Sequence, residues 1–197
     1  MHRMTPPVLG LLHEAMEHTH TVLARVTDEQ RSAVTPCADY DVNGLAAHLI
    51  GGLIWFAGLP AGGTTNPTEL DEPDLSGRSL VAEFAAAARQ AHDAWTGQTL
   101  TTVFTIASNP VTGEGIAQFT VVELVGHSWD IATATGQPTH QWDHLARATL
   151  DLASGLDEQI LRAPGMMAAP VPVAADAPPV DQLVAFLGRD PRWTADR

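Results

Sequence analysis

Apolar positions recur mostly at the helical period of about 3.6 residues. From Val8 to Val26, residues Leu11, Leu12, Ala15, Thr19, Val22, Leu23 and Val26 fall on one helical arc. His13, Glu17 and His20 lie off that arc and His18 at its edge, so the three histidines read as surface. The stretch Val42–Ala57, VNGLAAHLIGGLIWFA, is apolar on nearly every side and reads as a buried helix. Asp41, closing the loop TPCADYD, is placed as its N-cap. Leu59–Ser79 is a connector rich in Gly, Pro, Thr and acids. A third helix, Leu80–Trp95, shows the stripe Leu80, Phe84, Ala87, Ala88, Ala91 and Trp95, with His92 beside it and peripheral. Thr99–Ile106 alternates in strand fashion ahead of SNPVTGEG and predicts a short strand or β-hairpin. Phe119–Ala134, FTVVELVGHSWDIATA, is a second helix apolar all round, stopped by Gly136-Gln137-Pro138. A fifth helix is predicted over Trp142–Leu161, on the arc Leu145, Ala148, Thr149, Leu152, Ala153, Leu156 and Ile160. A proline-rich extended segment, 164–179, and a short C-terminal helix, 180–187, complete the pattern. The fold class is therefore all-α, a helical bundle forming a single domain over 1–197.

Composition narrows what this bundle does. At 197 residues and 45% hydrophobic content the chain can bury a sizeable core. A net charge of −13, with ten Lys plus Arg scattered and no basic patch, argues against nucleic acid and anionic membrane surfaces. The start, MHRMTPPV, lacks the apolar region of a signal peptide, and no unbroken apolar run has the length of a spanning helix. A single cysteine, Cys37, forms no internal disulfide, and a cytoplasmic protein is the expectation.

The candidate chemistry lies inside the two all-apolar helices. Glu123 and His127 are four apart, with Asp130 three further on, so the three share one helix face. A buried carboxylate is costly unless partnered, and no Lys or Arg occurs between Gln90 and Arg147. A metal ion is the economical partner. His48, the only titratable residue of the Val42–Ala57 helix, is flanked on its own face by Gly44 and Gly52. Those glycines serve either close helix approach or open space for an ion and a ligand; His48 by itself also fits a satisfied core histidine. Together His48, Glu123 and His127 offer two nitrogens and one oxygen, a donor set for zinc or a similar divalent ion with a position left free. Nickel, iron and manganese accept the same donors. Asp130 either supports an imidazole from behind or faces solvent near the helix end. Cys37 lies four residues before the N-cap, too far for strong activation by the helix dipole, and reads as packing or turn chemistry.

Three segments, TPCADYDVNGLAAHLIGG, ELVGHSWDIATATGQ and LVAFLGRDPRW, resemble an actinobacterial branch of the DinB-like superfamily. That branch carries the metal-binding domain of mycothiol-dependent maleylpyruvate isomerase. The resemblance spans nearly the whole chain, in the family's order. It implies a DinB-like four-helix bundle whose divalent metal is held by residues matching His48, Glu123 and His127. It also implies activation of a low-molecular-weight thiol such as mycothiol against an electrophilic substrate. The C-terminal residues show no match to the isomerase's separate C-terminal domain.

Three functions are compatible with these residues. One is a thiol-dependent transferase or isomerase. Another is a metal-dependent hydrolase with water at the free position. The third is a metal-binding bundle without turnover. Bundles of this kind often pair, and Trp55, Phe56 and Trp95 offer apolar surface for a homodimer if they are exposed.

Overall fold

The two helices without a polar face occupy the centre, as their composition requires. In the computed structural model, residues 7–195 are described, apart from 64, 65, 67–69, 107 and 163–165. Helix α1 spans Pro7–Leu23, α2 Val42–Gly58, α3 Leu80–Ala94, α4 Gly97–Leu100 and α5 Gly113–Ala134. The four long ones close a ring in which α1 packs on α5, α5 on α2, α2 on α3 and α3 on α1. The core they enclose includes Leu12, Leu45, Ile50, Leu53, Phe56, Phe84, Val121, Leu124 and Val125, each buried. At roughly 1.5–3 kcal/mol per fully buried large apolar side chain, this ring is the main source of stability. It is the predicted all-α bundle.

Local signals set most of the boundaries. Asp41 caps α2 as expected, its side chain accepting the Gly44 N–H at 2.7 Å. Thr112 caps α5 in the same way, so that helix starts six residues before the apolar run at Phe119. Its end at Gly136 is the one predicted. The predicted strand or hairpin is a hairpin: β1, Val103–Ile106, pairs antiparallel with β2, Asn109–Thr112. Thr99 and Leu100 belong instead to α4.

The predicted fifth helix is two pieces, a correction. Helix α6 runs Asp143–Ser154 and α7 Glu158–Leu161. Gly155 caps the first piece, and the Asp157 side chain starts the second by accepting from the Gln159 N–H at 2.9 Å. Helix α8, Pro179–Phe186, packs on α6 and α5, so α6 and α8 form an outer layer over the bundle. Pro164, at the head of the proline-rich stretch, and the Ile160 side chain lie outside the described residues.

Two further expectations change. Phe56 and Trp95 are buried and stacked on each other at 3.9 Å, and the Trp95 indole N–H donates to the Phe56 carbonyl. They offer no surface to a second copy. The stretch Val42–Ala61 is, by length and composition, apolar enough to cross a membrane, at mean hydropathy 1.5. Asn43 and His48 interrupt its apolar run, which is why the sequence shows no unbroken run of that length. In the bundle its residues Leu45, Ala46, Leu49, Ile50, Leu53 and Phe56 are buried.

Candidate metal centre

His48 projects from α2 and Glu123 and His127 from α5, and the three meet at the seam between those helices. Their donor atoms all lie within 4.8 Å of one another. His48 Nε2 is 3.5 Å, and His127 Nε2 3.4 Å, from the same oxygen, Oε2 of Glu123. The two imidazole rings are nearly perpendicular, at 86°, with centroids 5.4 Å apart. The three residues predicted as ligands are thus brought together.

Behind each imidazole stands a carboxylate. Asp130, fully buried, takes His127 Nδ1 at 2.9 Å. Glu72 takes His48 Nδ1 at 2.9 Å. A second donor shares each carboxylate oxygen: Arg189 Nη2 donates to Asp130 Oδ2 at 2.9 Å, and the Tyr40 hydroxyl donates to Glu72 Oε1 at 2.9 Å. Because an ionised carboxylate only accepts, each Nδ1 carries a proton, and each Nε2 is turned toward Glu123 Oε2, where a bound divalent ion would take its lone pair in place of a hydrogen bond. This is the outer support that metal-bound histidines ordinarily have. Asp130 therefore supports an imidazole and does not face solvent, which closes the alternative left open above.

Sequence reasoning missed Glu72, Tyr40 and Arg189. Glu72 comes from the irregular connector before α3, where no periodicity marks a residue as important. The connector reaches α2 because position 51 is glycine: a Cβ there would sit 2.8 Å from the Asp71 carbonyl oxygen. Arg189 follows α8, whose end is a Schellman turn: Gly188 N–H bonds to Ala185 O and Arg189 N–H to Val184 O. Gly188 has φ +85° and would bring a Cβ to 2.6 Å from that of Ala168, so only glycine reverses the chain here. Both residues lay in segments whose sequence was distinctive, TPCADYD for Tyr40 and LGRDPRW for Arg189.

Electrostatics tie the cluster together. Burial opposes a charge on His127, but Asp130 and Glu123 outweigh it and raise its pKa to about 9. Burial likewise pushes Glu123 up, and hydrogen bonds from His127 and His48 overcome this and hold it well below the usual carboxylate range. His48 is raised despite its burial, chiefly through Glu123. Tyr40 is pushed up to about 12 by burial and by Glu72, so it keeps the proton it donates. Two nitrogens and a carboxylate oxygen aimed at one space, with outer carboxylates fixing both rings, fit a divalent ion of the zinc type.

Cys37 borders this centre, and the other histidines among the described residues are not part of it. Cys37 is half-buried, its backbone held in a turn by the Thr35 hydroxyl, and burial followed by the Asp130 charge pushes its thiol up to about 11. Its sulfur shares a 4.8 Å cluster with His127 and Asp130. His13 and His92 are exposed, as expected, with rings 5.4 Å apart. His18 is not a surface residue: it packs edge-on against Trp142 at 4.1 Å, and its Nε2 is buried with no hydrogen-bond partner among the described residues.

Residues 12–132 match the mycothiol maleylpyruvate isomerase N-terminal domain. The chain belongs to that family. Two uncharacterized proteins of Mycobacterium tuberculosis, one from strain CDC 1551 / Oshkosh and one from strain ATCC 25618 / H37Rv, are each 32% identical to it over 173 residues. That stretch covers 87% of this chain and 91% of each relative. No solved structure matches. The family match takes in Tyr40, His48, Glu72, Glu123, His127 and Asp130, and it ends before Arg189.

Proposed function

We propose that the protein binds one divalent metal ion, most simply zinc, and uses a low-molecular-weight thiol, mycothiol, in a transfer or isomerisation of an electrophilic small molecule. One observation carries the metal part: two Nε2 atoms and one carboxylate oxygen converge while both Nδ1 atoms are taken by carboxylates. Membership of the mycothiol maleylpyruvate isomerase N-terminal domain family supports the thiol part.

His48, Glu123 and His127 would hold the ion, which supplies the chemistry of lowering a thiol's pKa so that its anion exists at neutral pH. The chain's own residues do the rest. Glu72 and Asp130 hold the two rings in one tautomer. Gly52 lies one turn beyond His48, and a Cβ there would meet nothing within 4 Å, which leaves space beside the centre for a bulky thiol. The acidic surface, at net charge −13, fits neither nucleic acid nor anionic lipid as partner. The same reading puts the protein in the cytoplasm, where its thiols stay reduced.

The test begins with metal content of untagged protein, wild type beside Glu123→Ala. About one ion per chain, lost in the variant, is expected for a site with three protein ligands. Cobalt substitution then reads the thiol: mycothiol should shift the visible spectrum of the wild type. Metal in neither protein would overturn the site. Metal without a thiol response, with turnover in the absence of thiol, would replace the transferase reading by a hydrolase.

A further inference from the structure

We infer that Arg189 is a positioning residue for the metal centre, contributed by the C-terminal segment from outside the family-matched region; the inference rests on the metal reading above. Arg189 touches none of the three ligands' Nε2 or Oε2 donors. It grips the carboxylate behind His127 with two prongs, Nε to Asp130 Oδ1 at 3.3 Å and Nη2 to Oδ2 at 2.9 Å. The guanidinium is itself anchored, Nη1 donating to the Leu187 carbonyl at 2.9 Å and lying 3.3 Å from the Met167 sulfur. The Asp130 side chain is 0% and that of Arg189 10% exposed.

A fully buried carboxylate needs partners for its oxygens, and Arg189 supplies one to each. Its planar fork fixes the plane of the Asp130 carboxylate and with it the oxygen that meets His127 Nδ1 at 2.9 Å. The imidazole is thereby held with Nε2 toward Glu123. Lysine offers a single point charge and no such fork. The Schellman turn at Leu187–Arg189 delivers the guanidinium to α5 from α8, so the precision of the site depends on the docking of the last helix.

The experiment measures zinc affinity by competition with a chromophoric chelator and, on the chelator-stripped proteins, thermal melting. Wild type, Arg189→Met and Arg189→Lys are compared. Arg189→Met should weaken zinc by about 10–100-fold, as loss of outer support does elsewhere, with Arg189→Lys between it and wild type. A residue that only braces the fold would lower the melting temperature and leave zinc affinity unchanged, and that result overturns the inference. If Arg189→Met does not fold because Asp130 is left unpaired, the double variant Arg189→Met/Asp130→Asn removes both buried charges and takes its place. It should show the same loss, and wild-type affinity in it again overturns the inference. A wild type that takes up no zinc overturns the metal reading and this inference with it. A wild type that binds zinc no better than Arg189→Met overturns this inference alone.

Discussion

Glu72 and His48 are 24 residues apart in sequence, and Glu72 Oε1 lies 2.9 Å from Nδ1 of His48. An irregular connector thus supplies on α2 what Asp130, three residues from its histidine, supplies on α5. Replacing Glu72 by Gln keeps an acceptor but removes the charge, and Glu72→Ala removes both. Zinc affinity should fall about tenfold in Glu72→Gln and further in Glu72→Ala, with both still binding where His48→Ala does not. Chelator competition reads the three cases, and equal affinity for Glu72→Ala and wild type would show that His48 needs no such support.

The connector's reach depends on Gly51. A methyl group at 51 would meet the Asp71 backbone, which cannot swing aside as a side chain would. Gly51→Ala should destabilise by roughly 1–3 kcal/mol, as overpacking does, and should weaken zinc binding along with it. At Gly52 the added methyl meets nothing within 4 Å. Gly52→Ala should gain up to about 1 kcal/mol of helix stability and leave zinc affinity unchanged. Chemical denaturation of the pair, with zinc titrations, separates the two effects.

His18 sets a pH dependence away from the metal centre. Burial, aided by the positive charge of Arg25, lowers its pKa from 6.5 to about 4. Between those values the unfolded chain holds a proton that the folded chain does not, so stability falls as pH drops from 6.5 toward 4. His18→Phe keeps the contact with Trp142 without the titration. Its melting temperature should fall less steeply over that interval than that of wild type, and parallel curves would count against the assignment.

Cys37 should behave as an inert thiol. With its pKa pushed up to about 11, little thiolate exists near neutrality. Alkylation by iodoacetamide at neutral pH should be far slower than for a free cysteine, whose pKa is about 8.5. Cys37→Ser should retain its zinc. Fast alkylation would instead make this thiol part of the chemistry.

Much of the fold is legible because helix signals are local. Asp41 announces the start of α2 and Gly136 the end of α5, and the all-round apolarity of both helices announces that they are central. The break at Gly155 is less legible, since the apolar arc carries through it from Leu152 to Leu156 and periodicity alone sees one helix. The three candidate ligands stand out because a titratable residue in an apolar helix is conspicuous. Their supports are not. Glu72 looks like any acid in a loop. Arg189 is hidden for a different reason: a counter-charge for the α5 face is sought among cations nearby in sequence, and its true position is 59 residues beyond Asp130. Spatial partnership of that kind leaves no trace in spacing.

The Schellman turn at Gly188 ties the last helix to a buried acid of α5. The segment that grips Asp130 lies beyond residue 132, where the family match ends. A substitution in that segment can therefore loosen the support behind His127 while His48, Glu123 and His127 themselves are unchanged.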